Sequence, residues 1–139
     1  TLLIGYNSEH FDIPILNRYY PGDLLGFPSL DLLRVIKDSI GRRLRLNDVA
    51  EATLDITKSA DGLQAMRWWK EGKVDEIKKY CEQDVKVTKE VYEFGKNNKQ
   101  LFYKNLTGEV LPFAVNFDLL PSAKDKANLK KNINLTLPF

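Results

Sequence analysis

The 139-residue chain has a single cysteine, Cys81, and a single histidine, His10. One cysteine excludes a disulfide framework and any multi-cysteine zinc site. One histidine excludes a His-rich metal centre and argues against a His-based triad. No apolar run approaches about 18 residues, which excludes a transmembrane helix, and no membrane partner is expected. The formal net charge is only +2, too small to argue for nucleic acid by itself. The chain opens with no basic leader and no signal peptide, so a cytoplasmic location is the expectation. What is present is ordinary: 43% hydrophobic residues, enough to bury a core in one domain or most of one.

Leu2 to Tyr6 is a short apolar run that reads as a buried strand. Asn7-Ser8 breaks it. Asp12 then reads as an N-cap, with Pro14 tolerated in the first turn, apolar Ile15, Leu16 and Tyr19 on one face, and Pro21-Gly22 as the stop. Pro28 to Leu33 holds a second strand candidate, followed by an amphipathic stretch to about Ile40 that Gly41 punctuates. Leu46, Val49, Ala50, Thr53 and Leu54 keep helical spacing. Residues 57–62 read as a loop, Leu63 to Lys70 as a helix, and Gly72 as its interruption. Val74 to Phe94 is the strongest helical pattern, with Val74, Ile77, Cys81, Val85, Thr88, Val91 and Tyr92 on one apolar stripe and Gly95 as its end. That stripe predicts a buried Cys81. Leu101-Phe102-Tyr103, Thr107-Gly108 and Val110-Leu111 read as a hairpin. The expected organisation is therefore one domain over residues 1–115 and a polar tail over 116–139.

Charge does not separate cleanly along the chain. Residues 1–60 carry 7 basic and 8 acidic groups, and residues 61–139 carry 14 and 11. Arg42-Arg43-x-Arg45 and the stretch from Lys124 to Lys131 are local basic clusters, suited to solvated surface or to phosphate contact. The adjacent Trp68 and Trp69 point about 100° apart on a helix, so one is expected in the core and the other is free to stack on a base. His10 is expected at the surface.

Two features carry chemistry. Gly5-Tyr6-Asn7-Ser8-Glu9-His10-Phe11-Asp12-Ile13-Pro14 sets an aspartate just past the C-terminal end of a strand, where α/β sheets bind ligands. Tyr80-Cys81-Glu82-Gln83-Asp84 sets a phenol and a carboxylate four residues apart, on one face of the long helix. A carboxylate can hold a divalent ion, and a phenol one turn away can position a water.

Together, in this order, the two features resemble the DEDD superfamily of 3′–5′ exonucleases, which have a ribonuclease H-like α/β fold. Asn7, Phe11 and Asp12 match that family's second motif. Tyr80 and Asp84 match the Tyr-x3-Asp third motif of its tyrosine subclass, and Lys79 stands where the histidine subclass would want histidine. Wider similarity runs from about Leu2 to Val115 and includes Ser29-Leu30-Asp31-Leu32-Leu33. It is strongest toward exonuclease domains found alone or beside bacterial helicases, and next toward the proofreading exonuclease of family B DNA polymerases.

The resemblance implies hydrolysis of phosphodiester bonds at the 3′ end of DNA or RNA, with two Mg²⁺ or Mn²⁺ ions. Asp84 and Asp12 would be metal ligands, Tyr80 would orient the attacking water, and Asn7 and Phe11 would form the floor under the 3′-terminal nucleotide. A helicase domain or protein is an implied partner. The family's first motif, Asp-x-Glu, does not occur ahead of Asn7. The abrupt opening within a strand favours loss of that segment over a degenerate, non-catalytic nucleic-acid-binding or scaffolding relative. An unpaired edge on Leu2–Tyr6 would then be expected to recruit Ile133–Leu137 or a second copy of the chain.

Overall fold

The computed structural model describes residues 2–56 and 62–118. They divide into two compact units, one formed by residues 2–43 with 116–118, the other by residues 44–56 and 62–115. The Lys124 to Lys131 cluster, the Ile133–Leu137 segment and most of the expected tail lie outside the described residues.

In the first unit, strand β1 (Leu3–Gly5) lies parallel to β2 (Ser29–Asp31), with Ile4 opposite Leu30 and Gly5 opposite Asp31. Parallel strands need a crossover between them. Here it contains helix α1 (Asp12–Asn17) and a 3-10 turn at Leu24–Gly26. Helix α2 (Leu32–Ile40) follows β2 directly and ends at Gly41 in the left-handed conformation, φ 76°. Leu30, Leu32, Leu33 and Ile36 are buried, as the apolar spacing of this stretch requires, together with Ile13 and Phe117.

The α1 expectation needs correction. The N-cap position belongs to Phe11, which makes no side-chain capping bond, and Asp12 is the first helical residue. Asp12 follows a loop already folded by its own bonds, Phe11 N–H to Asn7 C=O and Ile13 N–H to Ser8 C=O, so no aspartate cap is needed. The helix also stops at Asn17, short of Pro21-Gly22. Its amide oxygen accepts from the N–H of Leu24 at 2.7 Å, which diverts the chain into the 3-10 turn.

In the second unit, helices α3 (Leu46–Leu54), α4 (Gly62–Lys70) and α5 (Val74–Asn98) precede the hairpin β3 (Gln100–Lys104) and β4 (Val110–Ala114). Gly108, φ 85°, makes its turn. Both α3 and α5 pack on β3, and α4 packs on α5. The Thr53 hydroxyl links α3 to β3, accepting from Phe102 N–H at 3.0 Å. Gly62, expected in a loop, opens α4, while residues 57–61 lie outside the described residues.

Helix α5 also departs from expectation. Its buried residues are Val87, Val91 and Gly95, spaced by four along one face. Val74, Val85 and Cys81 are exposed. An apolar period identifies a helix but not its contacting face, and here that face is chosen by α3 and β3. Gly95 therefore lies inside the helix, which runs on until Lys99 turns left-handed at φ 59°. Neither tryptophan is fully buried: Trp68 is half-buried, and Trp69 is 71% exposed.

Candidate active site

The residues between β1 and α1 form a tight loop. A Cβ on Gly5 would come within 2.4 Å of the Ser8 Cβ, so glycine is required where the chain folds back on itself. Asn7 is left-handed, φ 59°, a conformation asparagine tolerates better than most residues. The loop places Asn7, Phe11 and Asp12 just beyond the C-terminal end of a parallel strand. Phe11 is 57% exposed, with its ring available to a planar ligand. The Asn7 side-chain oxygen accepts from Arg43 at 3.3 Å, which brings one arginine of the Arg42-Arg43-x-Arg45 cluster to the loop.

Beneath the loop lies Asp31, only 1% exposed. Its Oδ1 accepts from the main-chain N–H of Asn7 at 2.8 Å and of Leu33 at 3.0 Å, and its Oδ2 accepts from the N–H of Glu9 at 3.2 Å. Glu9 is equally buried. Arg34 Nη1 stands 3.0 Å from Glu9 Oε1, a charge contact without hydrogen-bond alignment, since Oε1 has no aligned donor. Burial pushes the Glu9 carboxyl up to about 7, and the Asp31 and Asp38 charges add to this against the pull of Arg34. Asp12 is also raised from the ordinary carboxylate range, first by desolvation and then by Asp31, with a hydrogen bond to its own backbone opposing. Both carboxyls are thus less readily ionised than usual, chiefly because burial disfavours their charged forms. Carboxylate oxygens are hard donors, so the chemistry fits Mg²⁺ or Mn²⁺ better than zinc.

Tyr80 and Asp84 lie in the other unit, one turn apart on α5, and both are half-buried. The Tyr80 ring meets Trp68 of α4 edge-on, with centroids 6.4 Å apart. This contact holds the phenol by its ring. The main-chain carbonyl of Asp84 accepts from the Thr88 hydroxyl at 2.7 Å. A groove of about 510 Å³ lies farther along α5, between Glu90 and Asn98, and includes none of the five candidate residues in its lining. Among the described residues, no three His, Cys, Asp or Glu side chains converge as a metal cluster.

A family model described as RNase H superfamily matches residues 1–94, more than half of the chain. The chain belongs to the RNase H superfamily. The match spans both candidate segments, Asn7 to Asp12 and Tyr80 to Asp84, and with the mixed helix–strand architecture it makes the fold α/β and ribonuclease H-like. The chain is thereby a nuclease-like module. No curated protein and no solved structure matches it. No helix among the described residues is long and apolar enough to cross a membrane.

Reading the sequence for chemistry found the exposed residues of the loop and missed the two buried acids beneath it. Asp31 had a usable signal, an aspartate directly before an apolar helical run, which is an N-cap pattern. Glu9 had none, because its burial and its contact with Arg34 exist only in the folded chain.

Proposed function

We propose that this RNase H superfamily chain is a 3′–5′ exonuclease module of the tyrosine subclass, acting on the 3′ end of DNA or RNA with Mg²⁺ or Mn²⁺. The observation that carries the reading is the Asn7–Asp12 loop. It presents an open aromatic ring and the Asp12 carboxyl together just past the C-terminal end of a parallel strand. The Tyr80–Asp84 pair, with its ring-braced phenol, supplies the second half of the expected machinery. Asp12 and Asp84 would hold the metal ions, which when bound neutralise charge on the attacking and leaving oxygens of the phosphodiester. Phe11 stacks on the terminal base, Asn7 contacts its sugar–phosphate, and the Tyr80 hydroxyl orients the water. Helicase association is the partner expectation that goes with this reading.

Four carboxylates are wanted for this chemistry and the motifs of this chain supply two, so the chain by itself is expected to bind Mn²⁺ weakly and to hydrolyse little. In a protein where an Asp-x-Glu strand precedes Thr1, a 5′-labelled oligonucleotide should shorten from its 3′ end when Mg²⁺ or Mn²⁺ is added. There Asp84→Asn should nearly abolish turnover by removing a ligand charge. Tyr80→Phe should slow it less, since only the orientation of the water is lost. Wild-type rates in the Asp84→Asn protein refute the assignment, and nucleic-acid binding without any hydrolysis favours a non-catalytic module.

A further inference from the structure

We propose that Asp31 is a positioning residue for the candidate site: its buried carboxylate holds the main chain of Asn7 and Glu9 and so sets where Asn7, Phe11 and Asp12 stand. The inference deepens the exonuclease reading and rests on it for the role of those three residues. A helix cap on α2 needs only the bond from Leu33 N–H, and serine, threonine or asparagine would provide it. Asp31 does more. The same carboxylate takes two further N–H groups from a segment 22 to 24 residues away in sequence. Burying a charge at 1% exposure is costly unless charge-assisted bonds compensate, and three of them do.

The loop needs such a hold. Asn7 sits in the left-handed region, a conformation that persists where the surroundings over-determine it. Gly5 and Ser8 pack too closely for any side chain at position 5. Glu9 is held twice from the start of α2, its N–H by Asp31 at the N-cap and its side chain by the charge of Arg34 in the first turn. Three residues later comes Asp12. Among the described residues, the Asp31 bond is the one shown to hold the Asn7 N–H, so its loss loosens the segment that leads into α1.

The test separates capping from positioning by using Asp31→Ser, which can cap Leu33 but is too short to reach the loop, beside Asp31→Asn. Amide hydrogen exchange is read by NMR on the full chain, and Mn²⁺ is titrated against the Phe11 and Asp12 amide signals. In Asp31→Ser, the Asn7 and Glu9 amides should exchange at least about tenfold faster while Leu33 keeps its protection. The Mn²⁺ concentration that half-broadens the Asp12 signal should rise about tenfold. Asp31→Asn keeps an oxygen for Asn7 and Leu33 but turns a donor toward Glu9. It should release Glu9 alone and restore most of the Mn²⁺ response.

Unchanged Asn7 and Glu9 exchange in Asp31→Ser overturns the proposal. So does a released loop with an unchanged Mn²⁺ titration. If the wild-type chain shows no Mn²⁺ response, the titration is repeated in the protein where an Asp-x-Glu strand precedes Thr1; silence there refutes the metal reading, and the exchange pattern alone then decides for or against Asp31.

Discussion

Replacing Glu9 by glutamine should make the protein more stable at neutral and alkaline pH, and the gain should vanish in acid. The Glu9 carboxyl stands at about 7 in the folded chain against an ordinary 4.5, because burial disfavours its charged form. A carboxyl raised on folding binds its proton more tightly in the native state. Its contribution is therefore fully present below about pH 4.5 and is lost as pH rises to about 7. At about 1.4 kcal/mol per pH unit, the loss is about 3 kcal/mol, with the pull of Arg34 already included. Glutamine matches a protonated glutamate in shape and carries no charge at any pH. The two proteins should unfold alike near pH 4.5 and diverge to about 3 kcal/mol above pH 7, glutamine being the more stable. Urea titrations at pH 4.5, 5.5, 6.5 and 7.5, followed by circular dichroism, measure the difference, and titrating groups remote from Glu9 cancel between the two chains. Parallel stabilities across that range would refute the reasoning. They would mean that Arg34 fully compensates the Glu9 charge or that solvent reaches it.

Gly41→Ala should cost about 1 kcal/mol in the same assay, because Gly41 caps α2 at φ 76° while a Cβ there meets nothing within 4 Å, leaving only the backbone penalty. Thr53→Val should cost about 1–2 kcal/mol by leaving the Phe102 N–H without the hydroxyl that accepts its bond and ties α3 to β3. Cys81 should react with a disulfide reagent in the folded protein without denaturant, since it is exposed; protection until unfolding would contradict this face of α5.

Periodicity and punctuation made much of the fold legible. Pro28–Leu33, Leu46–Leu54 and the hairpin after Leu101 are present near their expected places, because each is a local pattern closed by a local signal; Leu2–Tyr6 holds a strand as expected but not a buried one, since Leu2 and Ile4 are exposed. Gly41 ends α2 as a glycine should, for the same reason. Motif spacing likewise pointed to Asn7, Phe11 and Asp12 as one segment and to Tyr80 and Asp84 as one helix face. The stripe read from the period of α5 was right at Val91, which is buried, but could not determine the packed face along its length, because Val74, Cys81 and Val85 satisfy the period and are exposed while Val87, off that stripe, is buried. Only the packing of α3 and of β3 against that helix chooses between them. The acids beneath the site loop were hidden for the same reason. Asp31 reads in the sequence as no more than a helix cap, and Glu9 as an ordinary surface carboxylate, until β1 and β2 align side by side and bring the loop and the start of α2 together. Burial, and the charge it traps, is a property of the assembled chain, not of any segment of it.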